Sequence, residues 1–291
     1  MPRAPLWKEK QTQYIQRCSD RMLSSGTLKT YRSHLDYCLR FARERGWPMN
    51  PAKVEPRHIR ELYDHLVRQG AATSTQQLRF SVLLDFLKWS GNRNLTEVRM
   101  RISVSRHHVN WLTEEDITAL ISAANTPQQK AMIVLLAYTG ARLSEAVLLH
   151  RKDIRTDQIV IRGKGRKERR LGLDAPFWEA MRPYTDWLEK QPKTEYFLVH
   201  RPPGQRLRPY TVGAVYQSVK RLARKIGLIV SPHSIRRSFG RHLYKRGCPI
   251  AELQRIMGHS SVEMTIRYLG IGDDDINHGM TFRPDYAGGT K

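Results

Sequence analysis

The sequence predicts a mainly α-helical protein of two domains that carries one small β-hairpin. Apolar residues recur every three or four positions over most of the 291-residue chain, which is the helical period. Clear strand signals occur once, in Gln158–Arg162 and Arg169–Leu173. The helical pattern fades over residues 92–110. We therefore expect a helical domain over residues 1–100, a linker over 101–112 and a second domain over 113–291.

Four helices are predicted in the first domain. The clearest carries an apolar stripe from Leu28 to Ala42 and ends before Gly46, which places Cys38 in a core. The other three predicted helices are Trp7–Leu23, Pro56–Gln69 and Ser74–Ser90. A glycine directly follows each of the last two.

The second domain is predicted to open with a capping box, in which Thr113 precedes an acidic first turn. An apolar helix over Gln128–Tyr138 leads to the hairpin, and the remainder is expected to be helical. Ser231 followed by Pro232 predicts the start of one later helix. The core stripe of the last helix is predicted to be Val262, Ile266 and Leu269.

The charge of the chain indicates a polyanionic partner. The sequence has 50 Lys and Arg against 27 Asp and Glu, a formal net charge of +23. Residues 1–110 contribute +11 and residues 111–291 contribute +12. Nucleic acid is the commonest polyanion inside a cell. Because both halves are basic, we expect both domains to contact it, as the two arms of a clamp would.

One long tract has no acidic residue. No Asp or Glu occurs from Tyr196 to Ala251, whereas twelve Lys and Arg lie between Arg201 and Arg246. In a chain of which 26% is charged, this bias predicts a surface that faces DNA.

The composition argues against several classes of protein. The longest apolar run, Ala131–Tyr138, is much shorter than the roughly 18 residues of a membrane helix. The first ten residues lack the apolar segment of a signal peptide. Three cysteines without CxxC spacing argue against a disulfide framework or a structural zinc site. We therefore expect a soluble cytoplasmic protein that associates with the nucleoid and with no membrane.

Five short motifs hold the candidate catalytic residues. In chain order they are TGARLSE with Arg142, GKG with Lys164, HSIRRSF with His233 and Arg236, MGHSS with His259, and TIRYLG with Tyr268. His233 and Arg236 lie three residues apart at a predicted helix start, where the helix dipole favours an anion such as phosphate. Tyr268 lies off the core stripe of its helix, which leaves its hydroxyl available for another role.

This set of motifs resembles the tyrosine recombinase (phage integrase) family, including its compact Xer-type members. The resemblance covers about residues 113–271 by motif. More loosely, the helical N-terminal half looks like the core-binding (SAM-like) domain of that family. The resemblance implies a site-specific recombinase that cuts and rejoins DNA through a covalent 3′-phosphotyrosyl intermediate, in integration, excision or resolution of circular DNA. Large phage integrases carry an extra arm-site domain, for which we expect no room here because patterned helix begins by about Trp7.

The resemblance assigns the cationic side chains of the site. A phosphodiester under attack gains negative charge on its non-bridging oxygens, and fixed cationic donors stabilise that charge. The matching positions are Arg142, Arg236 and His259. Glu145 is expected either to orient Arg142 or His233, or simply to cap a helix.

The resemblance also assigns the proton transfers. Tyr268 matches the nucleophile, but a pKa near 10 leaves only about one part in a thousand ionised at neutral pH. His233 matches the base that assists it. Lys164, at the predicted hairpin tip, matches the general acid for the leaving 5′ oxygen, and Lys167 is a second candidate for that role.

No cofactor and no metal are expected. The sequence has no HExxH, no paired CxxC and no GxxxxGK[ST] loop. A zinc cluster of His233, His242, Cys248 and His259 would follow no recognised spacing. ATP is not needed, because a tyrosyl ester conserves the energy of the broken phosphodiester.

Two other functions remain open. A type IB topoisomerase-like enzyme would share the covalent chemistry but relax DNA as a monomer. A helix-turn-helix regulator would bind DNA without cutting it, and would not need Arg142, Lys164 and Tyr268 together.

The family resemblance also implies the partners. They are double-stranded DNA with an inverted-repeat site, a homotetramer on two paired sites, and a possible accessory or partner recombinase. The resemblance further implies that the tail after Tyr268 docks on a neighbouring protomer.

We expect the affinity for DNA to depend steeply on salt. If about ten phosphates are neutralised, release of their counterions lowers affinity by roughly 10³–10⁵-fold between about 50 and 200 mM salt. Fluorescence anisotropy of a labelled duplex measures this slope. A flat salt response would contradict a clamp of basic residues around DNA.

Overall fold

The computed structural model describes residues 6–95, 111–163, 167–202, 204–272 and 275. The chain divides into two units, Met1–His107 and His108–Lys291. The division falls inside the predicted linker, residues 101–112. Only Trp111 and Leu112 of that segment belong to the described residues, so the linker stays a prediction.

The N-terminal unit consists of helices around an aromatic core. Its helices are α1 (Leu6–Asp20), α2 (Ser25–Glu44), α3 (Pro56–Arg68) and α4 (Thr73–Trp89). Five aromatic side chains are almost fully buried and meet ring to ring: Trp7, Tyr14, Phe41, Trp47 and Phe86. Cys38 is also fully buried, as its place in the α2 stripe predicts.

The second unit is built around one apolar helix. Its helices are α5 (Glu114–Ser122), α6 (Pro127–Thr139), α7 (Leu143–Val147), α8 (Ala175–Glu189), α9 (Val212–Lys225), α10 (Pro232–Lys245), α11 (Ile250–Met257) and α12 (Val262–Leu269). Residues 131–136 of α6 are all buried, and α5, α7, α8, α9 and α10 contact this helix. The capping box predicted at Thr113 is confirmed, since its hydroxyl accepts a hydrogen bond from the Asp116 N–H at 3.1 Å. No helix in the described ranges is long and apolar enough to span a bilayer.

The predicted hairpin forms between α7 and α8. Its antiparallel strands are β1 (Gln158–Arg162) and β2 (Glu168–Gly172). Arg162 pairs with Glu168 in the register, and their side chains form an ion pair at 2.9 Å. β2 begins and ends one residue earlier than predicted, because backbone pairing rather than side-chain alternation decides where a strand ends. The tip of the hairpin, residues 164–166, lies outside the described residues.

A second pair of strands follows α8, where the sequence predicts only helix, so that prediction is wrong here. β3 (Val199–His200) pairs with β4 (Arg208–Pro209). The hydroxyl of Tyr184 donates to the carbonyl of Phe197 at 2.5 Å and accepts from the N–H of Val199 at 2.9 Å. Strands of two residues are too short to show an alternating pattern. The fold class, mainly α with small two-stranded sheets in two units, is nevertheless confirmed.

The inner face of α12 also differs from the predicted stripe. Ile266 is 39% exposed, whereas Thr265 and Leu269 are fully buried. Thr265 tolerates burial because its hydroxyl contacts Nδ1 of His259 at 3.0 Å and donates to the carbonyl of Ser261 at 3.3 Å. Thr265 therefore occupies a core position, although an unpaired hydroxyl group would disfavour burial.

The acid-free tract is not uniformly exposed. Arg221, Arg224 and Lys225 of α9 are exposed, as expected of a surface that faces DNA. Arg236 and Arg241 of α10 are only 2% and 7% exposed. Part of the positive charge of this tract therefore lies inside the protein.

Gly140, which closes α6, is predicted to tolerate no side chain. Its φ is +56°, and an added Cβ would overlap the ring of Phe239. We expect Gly140→Ala to lower the free energy of unfolding by roughly 2–5 kcal/mol, because the left-handed conformation and the overlap both cost energy. Urea denaturation measures the loss.

Gly227→Ala is the matched control. Its φ is +73°, but no atom lies within 4 Å of an added Cβ. Only the backbone cost of about 1–2 kcal/mol is expected there. Equal losses for the two variants would contradict a close contact between Gly140 and Phe239.

Candidate active site

The first turn of α10 supplies two of the predicted residues. Ser231 caps the helix by accepting a hydrogen bond from the Ser234 N–H at 3.1 Å, and Pro232 occupies the first helical position. The predicted helix start is therefore confirmed. His233 and Arg236 lie three residues apart, on one face of this helix.

Arg236 is buried although it carries a charge. Its guanidinium donates to the carbonyl oxygens of Gly140 and Met257, at the C-terminal ends of α6 and α11. Carbonyl groups at helix C-termini carry partial negative charge, so they suit a buried cation. Burial, and secondarily the charge of Arg142, lowers the pKa of Arg236 to about 10. The side chain therefore stays charged at neutral pH.

Arg142 reaches the same end of α11 from the start of α7. Its Nη2 donates to the carbonyl of Gly258 at 2.7 Å, and its Nη1 donates to Oε1 of Glu145 at 2.8 Å. Because Arg236 bonds the preceding carbonyl, that of Met257, the end of α11 holds both arginines. The Arg142 side chain is 39% exposed, so a ligand can reach it.

Glu145 binds a second arginine besides Arg142. Arg169 of β2 donates from both terminal nitrogens to the Glu145 carboxylate, at 3.2 and 2.7 Å. Burial alone would raise the pKa of Glu145, but hydrogen bonds from Arg169 and Arg142 lower it overall. Glu145 also accepts the Arg142 backbone N–H at 2.8 Å. Both readings of Glu145 therefore hold: it orients Arg142 and it caps α7.

His259 connects Arg236 to α12. Its Nε2 lies 3.2 Å from Nη2 of Arg236, and its Nδ1 lies 3.0 Å from the hydroxyl of Thr265. Arginine only donates, so Nε2 accepts and Nδ1 carries the proton. Burial, followed by the charges of Arg236 and Arg142, lowers the pKa of His259 to about 4. The imidazole is therefore neutral at pH 7.

Tyr268, in the last turn of α12, lies between the two histidines. Its ring centroid is 5.1 Å from that of His233 and 5.0 Å from that of His259. The guanidinium carbons of Arg237 and Arg236 lie 5.3 and 5.9 Å from the centre of the ring. The hydroxyl donates to the backbone carbonyl of His233 at 3.4 Å. Burial raises the pKa of Tyr268, and the charges of Arg236 and Arg237 offset part of that rise.

The structure thus brings five of the six predicted residues together. They are Arg142, His233, Arg236, His259 and Tyr268. Lys164 lies outside the described residues, so its place in the site stays a prediction. Lys167, the second candidate for the same role, lines a groove of about 960 Å³ that also borders Arg142 and His259.

Three residues of this arrangement are not identified by the sequence analysis. They are Arg169, Arg237 and Thr265. Arg169 sits in a run of charges, and only the register of β2 reveals that it faces Glu145 while Arg170 is exposed. Arg237 has no signal apart from its place beside Arg236. A threonine at a core position of α12 is the one clue to Thr265.

The zinc cluster considered for the histidines does not form. Within the described part of the chain, no group of three or more His, Cys, Asp and Glu could hold a metal ion. His242 instead lies 2.9 Å from the carbonyl of Leu112.

The chain matches two known family models, one in each unit. Residues 110–273 match the phage integrase family, and residues 12–94 match the phage integrase N-terminal SAM-like domain. The chain belongs to the phage integrase family. The resemblance inferred from the motifs is therefore confirmed, and with it the expectation of an enzyme that cleaves and rejoins DNA through a phosphotyrosine.

Relatives of this phage integrase family member are recombinases of the Xer type. Tyrosine recombinase XerD of Rhizobium meliloti (strain 1021) is 28% identical over 281 residues, which cover 89% of each chain. Tyrosine recombinase XerA of Thermococcus kodakarensis is 30% identical over 209 residues, which cover 70% of this chain and 73% of the relative. The compact Xer-type character expected from the motifs agrees with these relatives.

Solved structures share the fold of this phage integrase family member. The Tn1549 transposon integrase (residues 82–397) in complex with circular intermediate DNA has a TM-score of 0.73 at 18% identity, covering 96% of this chain and 100% of that one. A lambda integrase tetramer bound to a Holliday junction has a TM-score of 0.70 at 18% identity, covering 90% and 76%.

The low pKa of His259 predicts a loss of stability in acid. The unfolded chain protonates this histidine near pH 6.5, whereas the folded protein resists protonation down to about pH 4. The free energy of unfolding therefore falls as the pH drops from 6.5 to 4. We expect His259 to account for at most about 2 kcal/mol of the loss between pH 7 and pH 5.

Urea denaturation of the wild type and of His259→Asn at pH 7 and pH 5 measures the contribution of His259 to this loss of stability. Asparagine retains a polar side chain but takes up no proton. The variant should therefore lose less stability on acidification than the wild type. Identical losses would show that His259 is not held neutral by its surroundings.

Proposed function

We propose that this enzyme is a site-specific DNA recombinase in which Tyr268 attacks a phosphate held by Arg142 and Arg236. One observation carries the proposal. The Tyr268 ring lies between His233 and His259, close to Arg142 and Arg236. Carbonyl groups at helix ends hold both arginines in place, and Glu145 also holds Arg142. A nucleophile and preorganised cationic donors are the two parts that phosphoryl transfer requires.

The donors suit a phosphate with developing charge. Arg142 has an accessible guanidinium oriented by Glu145, and the charge of Arg236 needs no reorganisation because its carbonyl partners are backbone groups. His259 is neutral before DNA binds. A nearby phosphate raises the pKa of an imidazole, so DNA binding favours the protonated His259. Its Nε2 then donates to the phosphate and no longer accepts from Arg236.

The proposed step exchanges one ester for another. The Tyr268 oxygen forms a bond to phosphorus while the bond to the 5′ oxygen breaks. His233 takes the phenolic proton; burial and the charge of Arg237 lower its pKa, so it is neutral at pH 7 and able to accept. Lys164 gives a proton to the leaving 5′ oxygen. A 5′ hydroxyl of another strand reverses the step, and no ATP is consumed.

The two units have separate proposed tasks. The N-terminal domain, residues 1–100, contains the SAM-like match and binds DNA. A linker over residues 101–112 connects it to the catalytic domain, residues 113–291. The exposed cations of α9 add affinity. The part of the tail beyond Asp275 is proposed to dock on a neighbouring protomer.

The proposed assembly is a homotetramer on two paired inverted-repeat sites in double-stranded DNA. Lambda integrase, which has a similar fold, forms a tetramer on a Holliday junction, and this supports the proposal. We further propose that the protein acts in the cytoplasm with the nucleoid, and that an accessory protein or partner recombinase assists it.

Tyr268→Phe tests the nucleophile. Once selection of bound duplexes has identified the site, a nicked suicide duplex traps the covalent protein–DNA adduct. We expect the variant to lose adduct formation by at least roughly a thousandfold while DNA affinity is kept, since only the attacking oxygen is removed. Denaturing gel electrophoresis detects the adduct. An undiminished adduct would show that another residue attacks.

Tyr138→Phe is the matched control, because Tyr138 is a partly exposed tyrosine of α6 whose ring contacts Phe177. It should form the adduct at the wild-type rate. Strand exchange between paired sites distinguishes a recombinase from the alternatives. A topoisomerase would relax plasmids that lack the sites, and a regulator would bind DNA without forming any adduct.

A further inference from the structure

Arg241 of α10 is a buried cation that does not belong to the site described above. Its two terminal nitrogens donate to the two carboxylate oxygens of Asp275, one of them at 3.0 Å. The ring of Trp111 covers the guanidinium at 4.4 Å. With 7% of the residue exposed, this cation of the acid-free tract is not available to a DNA phosphate.

Asp275 is as deeply buried as Arg241, and both of its carboxylate oxygens have partners. It is 5% exposed, and Nζ of Lys245 lies 3.2 Å from its Oδ1. Its Oδ2 also accepts the N–H of Gly272 at 3.1 Å, and its own N–H donates to the Gly272 carbonyl at 2.9 Å. Burial alone would raise the pKa of Asp275, but the hydrogen bonds from Arg241 and Gly272 lower it. The carboxylate is therefore charged, and Arg241 is its closest cation.

This ion pair joins two elements of the proposed active site. Asp275 follows Tyr268 by seven residues, just beyond α12, whereas Arg241 follows Arg236 by five residues on α10. Five helical residues span about 7.5 Å. The chain leaving the tyrosine helix is thus fastened to the helix that carries His233 and Arg236.

A helix as short as α12, with eight residues, has little stability of its own. Thr265 and Leu269 anchor its inner face in the core, and the Arg241–Asp275 pair anchors the chain beyond it. A buried ion pair resists partial separation, because each charge would lose its main partner inside the protein. The position of Tyr268 therefore depends on contacts on both sides of it.

We propose that Arg241 and Asp275 are positioning residues that hold Tyr268 in the active site of its own chain. The inference rests on the proposed function, since it takes Tyr268 as the nucleophile. Neither residue touches the reacting atoms. Their effect is to keep the tyrosine oxygen within reach of the phosphate held by Arg142 and Arg236 of the same chain.

Asp275→Asn and Arg241→Gln test the positioning role. In single-turnover assays on the suicide duplex we expect both variants to form the adduct about 10–100-fold more slowly, because a displacement of about 1 Å has effects of that size. The dissociation constant for DNA should change by less than about twofold, since both side chains are buried. Arg241→Lys, which keeps the charge, should recover part of the rate.

Glu114→Gln is the matched control. It removes an exposed ion pair that Glu114 of α5 makes with Arg246, the residue that follows α10, at 2.7 Å. It should leave the cleavage rate unchanged. Lys245→Gln removes the weaker, half-exposed partner of Asp275. It should slow cleavage by only about two- to fivefold, and it keeps the test usable if the other variants do not fold.

A mixing experiment tests whether Tyr268 serves its own chain. Tyr268→Phe and Arg142→Gln each lack one part of the site, and we expect their mixture to form no adduct. Adduct formation by the mixture at a rate near that of the wild type would show that the tyrosine is donated between chains, and would overturn the inference.

Two further results would also overturn it. The first is cleavage at the wild-type rate by both Asp275→Asn and Arg241→Gln. The second is a loss of DNA affinity and thermal stability that matches the loss of cleavage rate, because the ion pair would then have a purely structural role. Failure of the proposed function is distinguishable. In that case the wild type forms no adduct, or Tyr268→Phe still forms it, whatever residue stands at position 275.

Discussion

The buried charge of Arg236 constrains the whole catalytic unit. A guanidinium with 2% exposure is stable only if its N–H groups have partners. The partners are the carbonyls that end α6 and α11, so these two helices must converge on α10. Gly140 and Gly258, both in the left-handed conformation, close those helices just there. The hydrogen bonds of one buried cation therefore set the relative positions of α6, α10 and α11. His259 and the Tyr268 ring both lie next to this guanidinium.

The balance of charge around Tyr268 follows from this arrangement. Four arginines, Arg142, Arg169, Arg236 and Arg237, surround the site, and Glu145 is the acid that binds two of them. The excess of positive charge lowers the pKa of His233 and His259, after the larger effect of burial. Without DNA, both histidines are neutral and the tyrosine is protonated. Under the proposed function, a DNA phosphate supplies the missing negative charge.

The basic tract of the second unit serves two purposes. Its exposed cations on α9 suit contact with a polyanion. Its buried cations on α10 have partners within the protein: backbone carbonyl groups accept hydrogen bonds from Arg236, and Asp275 and the ring of Trp111 contact Arg241. A net charge of +23 therefore overstates the positive charge at the surface of the protein, because Arg236 and Arg241 of α10 are buried.

The sequence by itself determined the fold class, most helix bounds, the caps at Thr113 and Ser231, and the family, because these depend on local periodicity, capping chemistry and motif order. Only the tertiary structure decided the contacts between distant segments. It paired β3 with β4, put Thr265 rather than Ile266 in the core, and directed Arg169 to Glu145 and Arg241 to Asp275. Periodicity describes one element at a time, whereas a buried polar side chain is stable only through its partners. Those partners can lie far away in the chain, and Arg236 and Gly140 are 96 residues apart.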